Sequence, residues 1–198
     1  MKFEDIPGNR EIKEHLVLEI DQSRTPHAQI FSGSDGSAAL ALAIAFAQYL
    51  MCENRTEGDS CGICDSCTKV SKYIHPDLHL SFPVITIKSG VAPTSLDFIE
   101  KWREALSDNP YISYIDWMKT IGAENKQGNI TRDECRSIIS RLSLKTFENQ
   151  YKVLVMWLPE YLGDAGNVLL KLLEEPSPNT HFVLVSHNIL KRVGHSII

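Results

Sequence analysis

The chain has 198 residues, 43% apolar and 23% charged, with a formal net charge of −5. This is the usage of a globular chain long enough to bury its own core, and it excludes disorder, collagen or coiled coil as a description of the whole. The negative balance argues against a broadly basic nucleic-acid binder, no run approaches the ~20 apolar residues of a membrane span, and Met1 to Asp5 lacks the apolar core of a signal peptide.

In chain order, Asn9 to Asp21 reads as a helix, because Ile12, Leu16 and Ile20 recur four residues apart. Ala28 to Ser32 is a short apolar run and predicts a buried strand; Gly33 to Gly36 is a turn. Ala38 to Met51 is apolar almost all round, which predicts a helix buried inside a layered domain. Cys52 to about Ser71 is polar and cysteine-rich and reads as a small insertion. His79 to Ile87 is a candidate strand in which Pro83 favours an edge position or a break. Ser95 to Leu106 predicts a helix with Phe98, Trp102 and Leu106 on one face, and residues 107–129 read as loop-rich. A helix then starts at Thr131, which with Glu134 has the spacing of a capping box. Tyr151 to Leu158 and His181 to Ser186 are further buried strands, separated by a helix from Ala165 to Glu175 that Pro176 stops. Near-continuous apolar strands alternating with helices predict an α/β fold, a parallel sheet with helices on both faces.

Five cysteines are present, and Cys52, Cys61, Cys64 and Cys67 are spaced C-x8-C-x2-C-x2-C. Thiolates two residues apart can wrap one ion from a tight turn, and Gly58 and Gly62 supply the turn freedom. Free thiols, two disulfides and an iron–sulfur cluster are the rivals. Nothing suggests secretion, which disfavours disulfides, and the bacterial ferredoxin run needs a different last spacing and a following proline. The expectation is a closed structural zinc site on the four cysteines, with nearby His75 and His79 not needed. Four thiolates on one Zn²⁺ add two negative charges to the chain. Cys135, among polar residues on the 131–145 helix, reads as a thiol without a role.

Strand, glycine turn and helix is the layout of a phosphate-binding loop, G-x-x-x-x-G-K-S/T. Here Gly33 and Gly36 begin the turn, but Ala38 stands for the second motif glycine, Ala39 for the lysine and Leu40 for the hydroxyl residue. Such enzymes also hold magnesium with an acid at the end of a later strand. That strand ends here on Trp157-Leu158, and the nearest carboxylate is Glu160, beyond Pro159. The loop reads as vestigial, with no functional nucleotide-binding or catalytic residue.

Pro26-His27-Ala28, the loop 33–40, the four-cysteine module, His75-Pro76-Asp77 and the run Asn167 to Pro176 (NVLLKLLEEP) occur in one order. In this set and order the chain resembles the clamp-loader subunits of bacterial DNA polymerase III, the delta-prime and gamma/tau family. The resemblance implies an AAA+ nucleotide-binding-type domain over 1–198, with a degenerate loop at 33–40 and a zinc module inserted at about 52–71. It implies cytoplasmic localisation, no membrane, and gamma/tau and delta subunits as partners. The sliding clamp and primer–template DNA would be reached indirectly, through the complex. Gamma/tau subunits keep the full loop and an Asp-Glu pair where this chain has Trp157-Leu158. These departures imply a delta-prime-like, non-hydrolysing scaffold or stator for ATP-driven clamp loading in DNA replication. Family members continue into lid and collar domains, expected to be absent from this chain. The family's Ser-Arg-Cys motif would begin near Ser196, and Arg192 does not stand in its place.

Two other readings are an active gamma/tau-like ATPase and a zinc-ribbon nucleic-acid-binding protein. The second expects basic residues beside the cysteines, yet 52–67 carries Glu53, Glu57, Asp59 and Asp65 against Arg55 alone. Arg132, Arg136, Arg141 and Lys145 read as a solvated helix face rather than a DNA stripe. Leu169, Leu170, Leu172 and Leu173 read as core, and Trp102, Trp117 and Trp157 have no legible stacking context.

Overall fold

The computed structural model describes residues 1–88 and 90–187, so Arg192 and the tail 191–198 lie outside the described residues. Its elements are α1 (Arg10–Asp21), β1 (Ala28–Ser32), α2 (Ala39–Met51), α3 (Asp65–Ser71), β2 (Leu78–Ser81), α4 (Ile99–Asp108), α5 (Tyr114–Thr120), α6 (Arg132–Ser143), β3 (Lys152–Trp157), α7 (Leu170–Glu174) and β4 (Thr180–Ser186). The strands form one sheet in the order β1-β4-β3-β2, and every pairing is parallel. The α/β expectation therefore holds.

Alternation along the strands divides the core. Val153, Val155, Trp157, Val183 and Val185 face a large cluster that contains all the apolar residues of α2. Leu154, Met156, Phe182 and Leu184 face a second cluster with Ile138 and Leu142 of α6 and Leu169. Helices thus cover both faces. All 13 residues of α2 are buried, which explains its unbroken apolar sequence.

Several expectations need correction. β1 is the last strand of the described sheet, with only Phe31 buried and Ile30 53% exposed, so it is an edge strand rather than a buried one. β2 is shorter than His79 to Ile87 suggested, covering Leu78–Ser81, but it is an edge strand that ends before Pro83, as the proline favoured. The expected helix Ala165 to Glu175 is a 3₁₀ segment over Gly163–Leu169 followed by the short α7. Residues 107–129 are not all loop: Ser113 caps α5 by accepting from the Asp116 amide. Cys135 is fully buried in the second core cluster, not among polar groups. The three tryptophans do have a context. Phe82 stacks on Trp102 at 4.2 Å, Trp117 meets Trp102 edge-on at 4.8 Å, and Trp157 lies 5.1 Å from Trp102.

The capping box at α6 is half formed. Thr131 accepts from the Glu134 amide at 3.0 Å, but the buried Glu134 carboxylate turns inward, accepting from the Ser95 amide at 2.9 Å and meeting Arg141 at 3.5 Å. Arg141 is thereby drawn in rather than solvated. Thr131→Ala is expected to cost about 1–2 kcal/mol, the usual range for a lost N-cap. A urea midpoint unchanged by this substitution would contradict the assignment.

Candidate functional site

Cys52 caps the C-terminus of the buried helix α2, and Cys64 caps the N-terminus of α3, which carries Cys67. Between them, Gly58 (φ +80°) and Gly62 (φ +74°) take left-handed turns that side chains resist. The first closes the Thr56–Asp59 bridge, and the second lets the chain from Cys61 double back toward Cys64. The result brings all four sulfurs within 4.8 Å of one another, and all five cysteines are free thiols. Cys52 Sγ lies 3.6 Å from Cys61 Sγ, which lies 3.9 Å from Cys67 Sγ. A tetrahedron with ~2.3 Å metal–sulfur bonds has edges of ~3.8 Å, so the donor set fits a four-thiolate centre.

Backbone amides support the sulfurs. Cys61 N donates to Cys52 Sγ (3.3 Å), Cys64 N to Cys61 Sγ (3.4 Å) and Cys67 N to Cys64 Sγ (3.4 Å). At Cys61, burial pushes the thiol up, but amides of Ile63 and Cys64 outweigh it and leave the group at about 6. Burial pushes Cys52 and Cys67 up. The four cysteines can hold a metal ion, and they are the one group of three or more His, Cys, Asp or Glu so placed among the described residues. His75 and His79 stay outside it: His75 Nδ1 accepts from the Asp77 amide (3.1 Å), and burial lowers His79 to about 4.

The module is docked to the domain. The Asp59 carboxylate accepts from the amides of Phe3, Glu4 and Ser60, tying the module to the N-terminal segment. Arg55 donates to the carbonyls of Tyr49 and Leu50 at the end of α2. Asn149 donates to Met51 O and Ser66 Oγ, and Glu53 accepts from Ser66.

At the C-terminal end of the sheet, the turn 33–36 leads into α2. Ala39 and Leu40, where a phosphate loop carries its lysine and hydroxyl, are 7% and 3% exposed and belong to the core. Asp35, inside the turn, accepts from the Tyr114 amide at 2.9 Å and lies 3.3 Å from His187 Nδ1. Tyr114 in turn stacks on Tyr161 at 4.7 Å. Trp157 closes β3 inside the aromatic cluster, and Leu158 is buried at φ +60°. Glu160 Oε1 accepts from the His187 amide, and its Oε2 is buried without a partner. Asp35 in the turn and Glu160 beyond β3 thus both meet His187. No sequence motif signals this, because the sheet brings the segments together across more than twenty residues of chain. A carboxylate carried in the turn itself opposes a phosphate there electrostatically.

His75-Pro76-Asp77 also acquires a task. The buried Asp77 carboxylate accepts from the amides of Phe147 (2.6 Å), Glu148 (2.8 Å) and Asn149 (2.9 Å). It fixes the segment whose Asn149 reaches the cysteine module.

Among the described residues, no helix is long and apolar enough to cross a membrane. The family described as DNA polymerase III, delta subunit, matches residues 8–193. Curated relatives include DNA polymerase III subunit delta' of Yersinia pestis, 28% identical over 175 residues, 87% of this chain and 39% of that protein. The Bacillus subtilis protein of that name is 25% identical over 173 residues, 86% of this chain and 39% of its own. DNA polymerase III subunit gamma/tau of Mycobacterium tuberculosis is 24% identical over 185 residues, 93% of this chain and 25% of its own. The chain therefore spans 39% of the length of the delta' relatives. A solved gamma subunit-related protein of Thermotoga maritima superposes with a TM-score of 0.47 at 14% identity, covering 88% of this chain and 39% of the other.

Proposed function

Because this chain belongs to the DNA polymerase III delta-subunit family, we propose that it acts as a non-catalytic, delta-prime-like clamp-loader subunit. Its part is that of a scaffold or stator against which ATP-driven loading of the sliding clamp proceeds. Gamma/tau and delta subunits are its direct partners, and the clamp and primer–template DNA are reached through the assembly. One observation carries the choice over an active ATPase. Ala39 and Leu40 are packed into the core, where a working loop would present a lysine and a hydroxyl to phosphate and magnesium. Trp157-Leu158 supports it at the second place, since neither residue can hold a metal. The residual features Gly33, Gly36 and Ala38 shape a turn and supply no charge to a nucleotide.

Within that subunit, Cys52, Cys61, Cys64 and Cys67 hold a structural Zn²⁺. A bound zinc supplies folding energy through four closed thiolate bonds and no open coordination position. The residues themselves clamp the end of α2 to the start of α3 and hold Asn149 and the N-terminal segment against them. The zinc-ribbon reading as a nucleic-acid binder is disfavoured by the acidic surroundings of the module.

The enzymatic alternative is tested by phosphate release from Mg–ATP on the purified chain. The expected rate is the background rate at every protein concentration. Turnover that rises in proportion to the chain would overturn the non-catalytic assignment.

A further inference from the structure

The amino end of the sheet carries a cleft of about 420 Å³, far from the loop 33–36 and separate from the cysteine centre. Its floor is the start of β2, the last strand of the described sheet on that side. Two features set its walls apart. First, exposed apolar side chains gather there. Ile74, Leu96, Leu144 and Phe147 all line it, with exposures of 47%, 48%, 66% and 79%. Scattered exposed apolar residues are ordinary, but four around one concavity mark a contact surface.

Second, the charge at the cleft opposes that of the chain. Arg103, Arg141, Lys145 and Lys152 line it, and Asp77 is the one acid that does. Both Asp77 oxygens are already used by three backbone amides. Lys152 caps the end of α6 through the carbonyls of Leu142 and Leu144, and Arg141 pairs with Glu134. Arg103 is anchored by its Nε to Tyr73 O, and Lys145 is exposed with no acidic partner among the described residues. Cationic charge therefore stands uncompensated at the rim of an apolar cleft, on a chain whose net charge is −5.

We infer that this cleft is a docking site for an extended segment of another protein, one that alternates acidic with aliphatic or aromatic residues. Leu144 and Phe147 receive the apolar side chains, and Lys145 with Arg103 receives the carboxylates. Three of the four exposed apolar walls, Ile74, Leu96 and Leu144, are aliphatic and offer a base no stacking face, which favours a peptide over nucleic acid.

The test is fluorescence anisotropy on the full 198-residue chain. The probe is a fluorescein-labelled nonapeptide alternating aspartate with leucine and phenylalanine. The controls are the same peptide with lysine for aspartate and a labelled single-stranded oligonucleotide. Phe147→Ser and Lys145→Glu alter exposed side chains, and circular-dichroism melts are used to check that each variant keeps the fold. The expected result is saturable binding of the acidic peptide, about tenfold weaker in each variant, as for truncation of a contact anchor. Four results would overturn the proposal: no saturation with the acidic peptide, equal binding of the lysine peptide, insensitivity to both substitutions, or preferential binding of the oligonucleotide. Concentration-dependent dimerisation abolished by Phe147→Ser would likewise overturn it, by assigning the cleft to a second copy of the chain.

Discussion

With the proposed zinc on the four cysteines, Cys61→Ser or a chelator is expected to melt residues 52–71 while the sheet survives. Structural zinc contributes about 10–16 kcal/mol of binding free energy in isolated finger peptides, so losing it outweighs any single contact in this module. The loss should be local, because the sheet and α2 are held by an apolar core that needs no sulfur. It should still spread to what the module touches, namely the last turn of α2, the segment 147–149 through Asn149, and the N-terminal residues held by Asp59. Hydrogen exchange reads this directly. Amides of α3 and of Cys61, Cys64 and Cys67 should lose protection, and those of β3 and β4 should keep it. Collapse of protection in β3 and β4 would contradict a local role, and unchanged protection in α3 would contradict a metal-held module.

The second large effect is expected at Asp77. Its carboxylate is 2% exposed and accepts from three consecutive amides. Hydrogen bonds to charged groups contribute about 1.5–3 kcal/mol each, but the three share one anion and do not add fully. Asp77→Ala would leave three amide donors without their acceptor, and a loss of about 3–5 kcal/mol follows. Asp77→Asn keeps one acceptor oxygen but turns donors toward a neighbouring amide, so it should fall between wild type and Asp77→Ala. Urea unfolding of the three proteins measures this. A loss below about 1 kcal/mol for Asp77→Ala would show that the amides find other partners.

Much of the architecture was legible because burial and periodicity coincide. β3 and β4 lie in the middle of the sheet and are buried at every residue, so their apolar runs are continuous. β1 misled, because AQIFS has the composition of a buried strand but sits at an edge of the described sheet. The helix α5 was missed because seven residues are too few to establish a period, although Ser113 and Asp116 carried a capping signal. The cysteine cluster was legible from spacing alone, since its four thiols lie within one short stretch. The surroundings of the loop were not. Asp35, Glu160 and His187 meet only when the sheet is folded, and each is unremarkable where it stands in the sequence. The expectation that Arg141 is solvated failed for the same reason: its partner Glu134 is buried against Ser95, thirty-nine positions upstream.

The proposed loss of nucleotide chemistry at residues 33–40 is tested most directly by titrating the zinc-supplemented chain with ATP in the presence of magnesium and following the heat of binding. A loop with Ala39 and Leu40 in the core and a carboxylate, Asp35, in its turn should show no saturable binding at micromolar nucleotide. Stoichiometric micromolar binding that requires magnesium would contradict the account.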